Sequence, residues 1–462
     1  MTDSATTATS GDGRTFSIDA PDEAPYLPGD MVVLRPAGLP AQIGQLTEPG
    51  AGLLVGVLDD DGTPGRVTSR DPYRAAPVEP IEAAELEALQ RSSGADLPIG
   101  TWTASGVDVP ARLRSQGFGR HTFLCGQSGS GKTYALGVIL EQLLLGTDLR
   151  MVVLDPNADF VRIGETVPGA PAEYGDRLAS QEVRVLGANS TGFEPLRMRF
   201  ATLPRRAQAA VLRLDPLEDR GEYNLLLHQF SDDRGDEGPR DLGSLLATLR
   251  EGEQAGRSLA QRVENLGLVD WEVFAGRDHA SAAEILASGP RVTVLDLGGF
   301  SDPAEPPALG LDLIENLWAQ RQTRTPTLIV VDEAHNLCPA EPVGPVQKAL
   351  VERFIQIAAE GRKYGLWLLL STQRPSKLHP QVLSQCDNLV LMRMNSPGDV
   401  AELADVFGFA PPAMIAAAPQ FVQGEALVAG GFVPRPAFVR MGERLTHQGG
   451  TDVAVPVAAP RM

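Results

Sequence analysis

Residues Gly126 to Thr133 read GQSGSGKT, the pattern G-x-x-x-x-G-K-[ST], set between an apolar run (His121–Cys125) and a helix-forming one (132–145). No other stretch restricts the fold as much. The glycines let successive backbone N–H groups turn inward around phosphate oxygens, and a helix starting at Lys132 adds the positive end of its dipole. Gly126, Gln127, Ser128, Gly129, Ser130, Gly131, Lys132 and Thr133 are therefore expected to cradle a nucleotide. Lys132 would reach the β and γ phosphates and Thr133 would ligate Mg²⁺. A second strand, LRMVVLDP, follows at once, so the pattern is strand, helix, strand, and a parallel sheet with helices on its faces is expected.

The second half of such a site is TLIVVDEAH, five β-prone residues ending in two carboxylates. A parallel strand buried on both faces reads as an unbroken apolar run, and ligands of open α/β sheets sit at strand C-terminal ends. Asp332 is expected to hold Mg²⁺ and Glu333 to orient the attacking water. Asp155, ending VVLD, either contacts metal-bound water or a neighbouring subunit, or starts an Asp-Pro turn. The cradle and these carboxylates are 200 residues apart, which calls for an insertion.

In AAEGRKYGLWLLLSTQRP (358–375), cations bracket an apolar strand. Gln373, at its far end, suits a γ-phosphate sensor because an amide both donates and accepts. Arg362 and Lys363 stand at the opposite end, away from any nucleotide held by the same chain. Arg362 is expected to reach the nucleotide of an adjacent copy as an arginine finger. Arg353 is its rival, and a solvated basic helix end is the plain alternative.

Net charge is −19 over 462 residues, which argues against a surface that coats DNA. The sign reverses locally, with six Lys/Arg against three Glu between Glu341 and Pro380. Residues 1–13 read as a disordered tail and not a secretory signal. Residues 14–95 read as a small β-barrel, with a turn at Asp59–Gly62 and a helical stretch at 80–93. Residues 96–440 read as the nucleotide-binding domain, interrupted by a helical insertion at about 201–285 that contains the acidic loop SDDRGDEGPRD. Residues 441–462 read as a tail. There is no apolar run of about 18 residues, so no membrane span or membrane partner is expected. Three scattered cysteines fit a reducing cytoplasm.

The stretches CGQSGSGKT, VVLDPNADF, RVTVLDLGGF, LIVVDEAHNLCP and AAEGRKYGLWLLLSTQRPSKLHPQVLSQCDNLVLMRM cover most of residues 120–395. Together they resemble the HerA–FtsK superfamily, and HerA-like ATPases above all. The N-terminal segment is similar to that family's HAS barrel. The resemblance implies an α/β fold with a RecA-like P-loop NTPase sheet of the additional-strand, catalytic-Glu type. It further implies an ATP-hydrolysing hexameric ring that pumps duplex DNA, works beside a nuclease or other effector, and in some bacterial relatives serves phage defence. By position it assigns Lys132 and Thr133 to the cradle, Asp332 and Glu333 to magnesium and water, Arg362 to the trans arginine and Gln373 to the sensor. No basic, aromatic-interleaved pore loop stands out; Lys348, Lys363, Arg374 and Lys377 are candidate phosphate contacts. Two other readings stand beside the motor: an ATP-dependent scaffold that regulates an effector, and a conjugation-type export ATPase.

Overall fold

The computed structural model describes residues 6–19, 25–59, 62–67, 70–229, 242–275 and 279–450. The chain divides into two compact units, Met1–Met151 with Gly310–Arg444, and Val152–Leu309 with Leu445–Met462.

The first unit begins with a barrel. Its strands are β1 (Thr7–Ser10), β2 (Thr15–Asp19), β3 (Met31–Leu34), β4 (Ala41–Glu48), β5 (Ala51–Leu58), the short β6 (Pro64–Gly65) and β7 (Tyr73–Pro80). They follow the order β2-β1-β7-β3-β4-β5-β6, and β2 also pairs with β5, which closes six strands into a ring. Alternation drives this: along β2, Phe16 and Ile18 point inward while Thr15, Ser17 and Asp19 face out. Phe16, Ile18, Val32, Leu34, Leu46 and Val78 share one core. Residues 7–10, which the sequence reading leaves in the tail, supply β1. Residues 1–5, the middle two residues of the expected turn at Asp59–Gly62 and all of the acidic loop lie outside the described residues.

Helix α1 (Ala83–Ser92) opens with a capping box between Glu82 and Glu85, and leads into the hairpin β8 (Leu97–Trp102) and β9 (Val109–Leu113). Next come β10 (His121–Cys125), α2 (Lys132–Gly146) and β11 (Arg150–Asp155).

The second unit takes up the chain from Val152. It contains α3 (Ala172–Ala179), β12 (Val183–Gly187), β13 (Glu194–Pro195), then α4 (Arg205–Val211), α5 (Arg220–Gln229), α6 (Leu242–Glu251), α7 (Gln254–Asn265) and α8 (Ala282–Ala287), and β14 (Val292–Asp296). Strand β12 pairs in parallel with β13 and β14, and β14 neighbours β11. The helices α4 to α8 occupy the span where an insertion was expected.

Helix α9 (Glu305–Ala319) returns the chain to the first unit. There follow β15 (Thr327–Val331), α10 (Gly344–Glu360), β16 (Leu366–Thr372), α11 (Pro380–Leu383), β17 (Cys386–Met392), α12 (Pro397–Val406), α13 (Pro412–Ile415), β18 (Glu425–Gly430) and β19 (Ala437–Met441). The sheet runs β15-β16-β10-β17 in parallel and continues antiparallel through β18, β19, β8 and β9. All five residues of β10 and of β15 are buried, as the unbroken apolar runs require. Phe123 of β10 stacks on Phe407, ring centroids 5.7 Å apart.

His121 ties this core together. It is fully buried; its Nε2 lies 3.1 Å from the carbonyl of Ala358, and its Nδ1 accepts the Leu368 N–H at 2.9 Å. Both bonds need a neutral ring, and burial pushes its pKa down to about 4. The barrel is docked on the same unit: the Gln45 amide donates to the Pro436 carbonyl at 2.7 Å, and Ser105 bonds Met31 and Asp30. Beyond β19, Arg444 lies buried on α2. Its N–H donates to the Tyr134 hydroxyl at 2.6 Å, and its Nε is 3.5 Å from Glu141. A Cβ on Gly137 would come within 2.7 Å of that guanidinium, so any larger residue would have to displace it.

Candidate active site

The cradle turns sharply between β10 and α2. Gly129 has φ +75° and Gly131 +94°, backbone that side chains with a Cβ rarely adopt. At Gly126 a Cβ would strike Ser130 Oγ at 2.6 Å and Met392 Cβ at 2.7 Å. Neighbouring backbone engages the turn: Gln127 N–H donates to the Arg393 carbonyl (2.9 Å), Ser130 N–H to that of Gln127 (3.1 Å), and Gly424 N–H to that of Ser130 (3.0 Å). Helix α2 starts with no side-chain cap, so its first-turn N–H groups and its dipole are left to an anion. Ser130 Oγ is buried without a partner.

Lys132 is buried, and its three ammonium protons meet three oxygens. These are Asp332 Oδ1 at 2.9 Å, Ser371 Oγ at 3.1 Å and Glu333 Oε1 at 3.1 Å. Burial alone would lower its pKa, but the two carboxylates outweigh that and hold it above the ordinary lysine value. Asp332 Oδ2 and Glu333 Oε2 are buried and unbonded. A hard cation such as Mg²⁺ takes a carboxylate oxygen like that of Asp332, so this donor fits it, with the Thr133 hydroxyl one residue from Lys132. Glu333 itself sits in left-handed backbone (φ 43°, ψ 49°), strain of a kind that gathers at functional sites.

Since β10, β15, β16 and β17 are parallel, the cradle, Asp332–Glu333 and Gln373 all follow strand C-terminal ends. Gln373 is half-buried, directly after β16. Arg362 lies before β16, in the turn Gly361–Tyr364, at the other end of the same strands. Its Nη1 is 3.4 Å from Asp387 Oδ2, and Arg120 reaches the same oxygen at 3.3 Å. Arg353 is engaged elsewhere: it grips both oxygens of Glu315 at 3.0 and 2.8 Å and lies 5.5 Å over the Trp318 ring.

Asp155 belongs to the second unit. Its carboxylate accepts the N–H groups of Asn157 (3.3 Å), Asp159 (3.1 Å) and Phe160 (2.7 Å), holding the turn after β11.

Ser371, Arg120, Asp387 and His335 were not singled out by sequence. The signal for Ser371 was a hydroxyl closing an apolar strand; for Arg120, a cation just before the strand that feeds the cradle.

The family model for the helicase HerA central domain matches residues 97–227. The DNA double-strand break repair helicase HerA of Sulfolobus acidocaldarius is 23% identical over 414 residues, 84% of this chain and 77% of that one. These matches support an assignment to the HerA–FtsK superfamily. Among its HerA-like relatives, a probable helicase of Methanocaldococcus jannaschii is 35% identical over 127 residues, 28% of this chain and 24% of its own length. The chain spans about a quarter of the first such relatives it matches. Of solved structures, VirB4 of Thermoanaerobacter pseudethanolicus superposes with a TM-score of 0.53 at 15% identity, covering 76% of this chain and 97% of that one. That likeness carries a RecA-like α/β fold. No described helix is long and apolar enough to cross a membrane.

Proposed function

We propose that this protein hydrolyses ATP with Mg²⁺ and, as a hexameric ring, translocates on double-stranded DNA. The observation that carries the reading is the buried meeting of Lys132 with Asp332, Glu333 and Ser371 beside an uncapped helix start. In this reading the cradle and Lys132 bind the phosphates. Thr133 and Asp332 hold Mg²⁺, which neutralises phosphate charge when bound. Glu333 orients the water and Gln373 senses the γ phosphate; Asp155 acts on the metal's water or a neighbouring subunit.

Arg362 is the trans finger. The seven residues of β16, at about 3.3 Å each, put roughly 20 Å between it and the Lys132 end, too far for one side chain to span. Arg353 is disfavoured because Glu315 already holds it. Exposed Lys348, Lys363, Arg374 and Lys377 contact DNA phosphates. An effector partner such as a nuclease, and a role in antiviral defence in the cytoplasm, complete the proposal.

The test is ATP turnover with and without duplex DNA across salt. DNA should stimulate turnover, and the stimulation should fall steeply with salt as counterions compete. Turnover indifferent to duplex DNA at low salt would remove the translocase. The net charge of −19 favours one second reading, an ATP-dependent scaffold for an effector. A Glu333→Gln protein that still supports the partner's activity would select it.

A further inference from the structure

His335 lies outside the roles above, yet the fold places it between two parts of the site. The turn Ala334–Asn336, which starts from the left-handed Glu333, brings the His335 ring back to that residue's own carboxylate. Nδ1 is 3.3 Å from Glu333 Oε2 and 3.0 Å from Thr372 Oγ, and the ring is largely buried. The Thr372 hydroxyl already accepts the Arg374 N–H at 3.0 Å. Its single proton is therefore available for Nδ1. With Nδ1 as acceptor, Glu333 Oε2 has no hydrogen bond. With the proton on Nδ1, the same nitrogen can donate to Glu333 instead, and Thr372 is released. One nitrogen thus faces two groups and can satisfy only one tautomer's geometry at a time.

Resting on the ATPase reading above, we infer that His335 is a positioning residue for Glu333. Its Nδ1 switches between accepting from Thr372 and donating to Glu333, so the aim of the water-orienting carboxylate follows the turn after β16. That turn carries Gln373, the γ-phosphate sensor, and Arg374, whose backbone is anchored on the same hydroxyl. A nucleotide or DNA phosphate that moves this turn is reported to Glu333 through the imidazole. Nε2 gives its proton to solvent as Nδ1 takes one up, so the ring stays neutral while it changes tautomer and hydrogen-bond partner.

The experiment uses the full chain with His335→Ala, Thr372→Val, the double variant and His335→Asn. It reads kcat and KM for ATP, affinity for a fluorescent ATP analogue, and the thermal midpoint. Removing such a supporting group should lower kcat about 10–100-fold. KM, analogue affinity and midpoint should stay close to wild type. The double variant should be no slower than the slower single, because both break one linkage. His335→Asn, which keeps a polar atom near the Nδ1 position, should recover part of the loss. Unchanged kcat, additive losses, or affinity and midpoint falling together with kcat would each overturn the assignment. A wild-type protein that does not hydrolyse ATP would instead bring down the ATPase reading, and this inference with it.

Discussion

The two ends of the parallel strands treat their cations in opposite ways. At the C-terminal end, Lys132 is buried and saturated by three oxygens within 3.1 Å. At the N-terminal end, the Arg362 side chain is 43% exposed and has one 3.4 Å contact, to a carboxylate it shares with Arg120. A buried cation with full partners is fixed in place, because leaving them would strand charges in a dry interior. An exposed pair contributes little and is exchanged easily. The contrast separates a group built to stay from one free to turn toward another molecule.

The sharpest way to break this comparison is Arg362→Ala. If Arg362 acts on a neighbour's nucleotide, steady-state turnover should fall by about 10³–10⁵-fold. Mixing Arg362→Ala with Glu333→Gln should then restore some activity, since each supplies what the other lacks. Arg353→Ala should instead lower the denaturation midpoint and leave such mixing without benefit. Equal turnover for wild type and Arg362→Ala would end the distinction between the two strand ends.

Lys132→Ala probes the other end. It leaves Asp332 and Glu333 uncompensated, and breaking a buried pair from one side costs about 3–5 kcal/mol. Chemical denaturation should show that loss together with lost nucleotide binding. A variant as stable as wild type would mean the interior there is wetter than its burial indicates.

His121, the first residue of β10, stands at the N-terminal end of the strands, and its prediction is pH-dependent. The fold holds the ring neutral, at about 4 against an ordinary 6.5. Above pH 6.5 both folded and unfolded rings are neutral and nothing is lost. As pH falls from 6.5 toward 4, only the unfolded chain takes up the proton, so stability should drop by up to about 3 kcal/mol. Below about 4 this contribution levels off. Denaturant midpoints over that range, compared with His121→Gln, measure it; identical slopes would reject it. The smallest effect belongs to Asp387→Asn, which loosens both guanidinium groups and should change stability by less than about 1 kcal/mol. A larger loss would show that the exposed end is held as firmly as the buried one.

Much of this was legible in the sequence, because both signals are short-range. A glycine turn between strand and helix, and an unbroken apolar run ending in Asp-Glu, define their own geometry. The fold class, the barrel and the helical span between the two halves of the site could be read from alternation and periodicity. Ser371 and His335 could not. Each meets a partner more than 30 residues away, and strand register is invisible to local pattern. The role of Asp387 was hidden for a similar reason: whether a carboxylate shares two guanidiniums depends on which strands are adjacent. β1 was missed because its short polar run, Thr7–Ser10, has no apolar periodicity of its own; the barrel's closure makes it a strand.

The seat of Arg444 on α2 bears on how the protein can be handled. That side chain fills a notch which Gly137 leaves open in the very helix whose first residue is Lys132. Shortening the polypeptide to end at β19 would unplug the notch and leave Glu141 facing a hole, one helix away from the chemistry. A tag fused downstream of residue 444 keeps the plug; one that replaces it loosens α2 from behind.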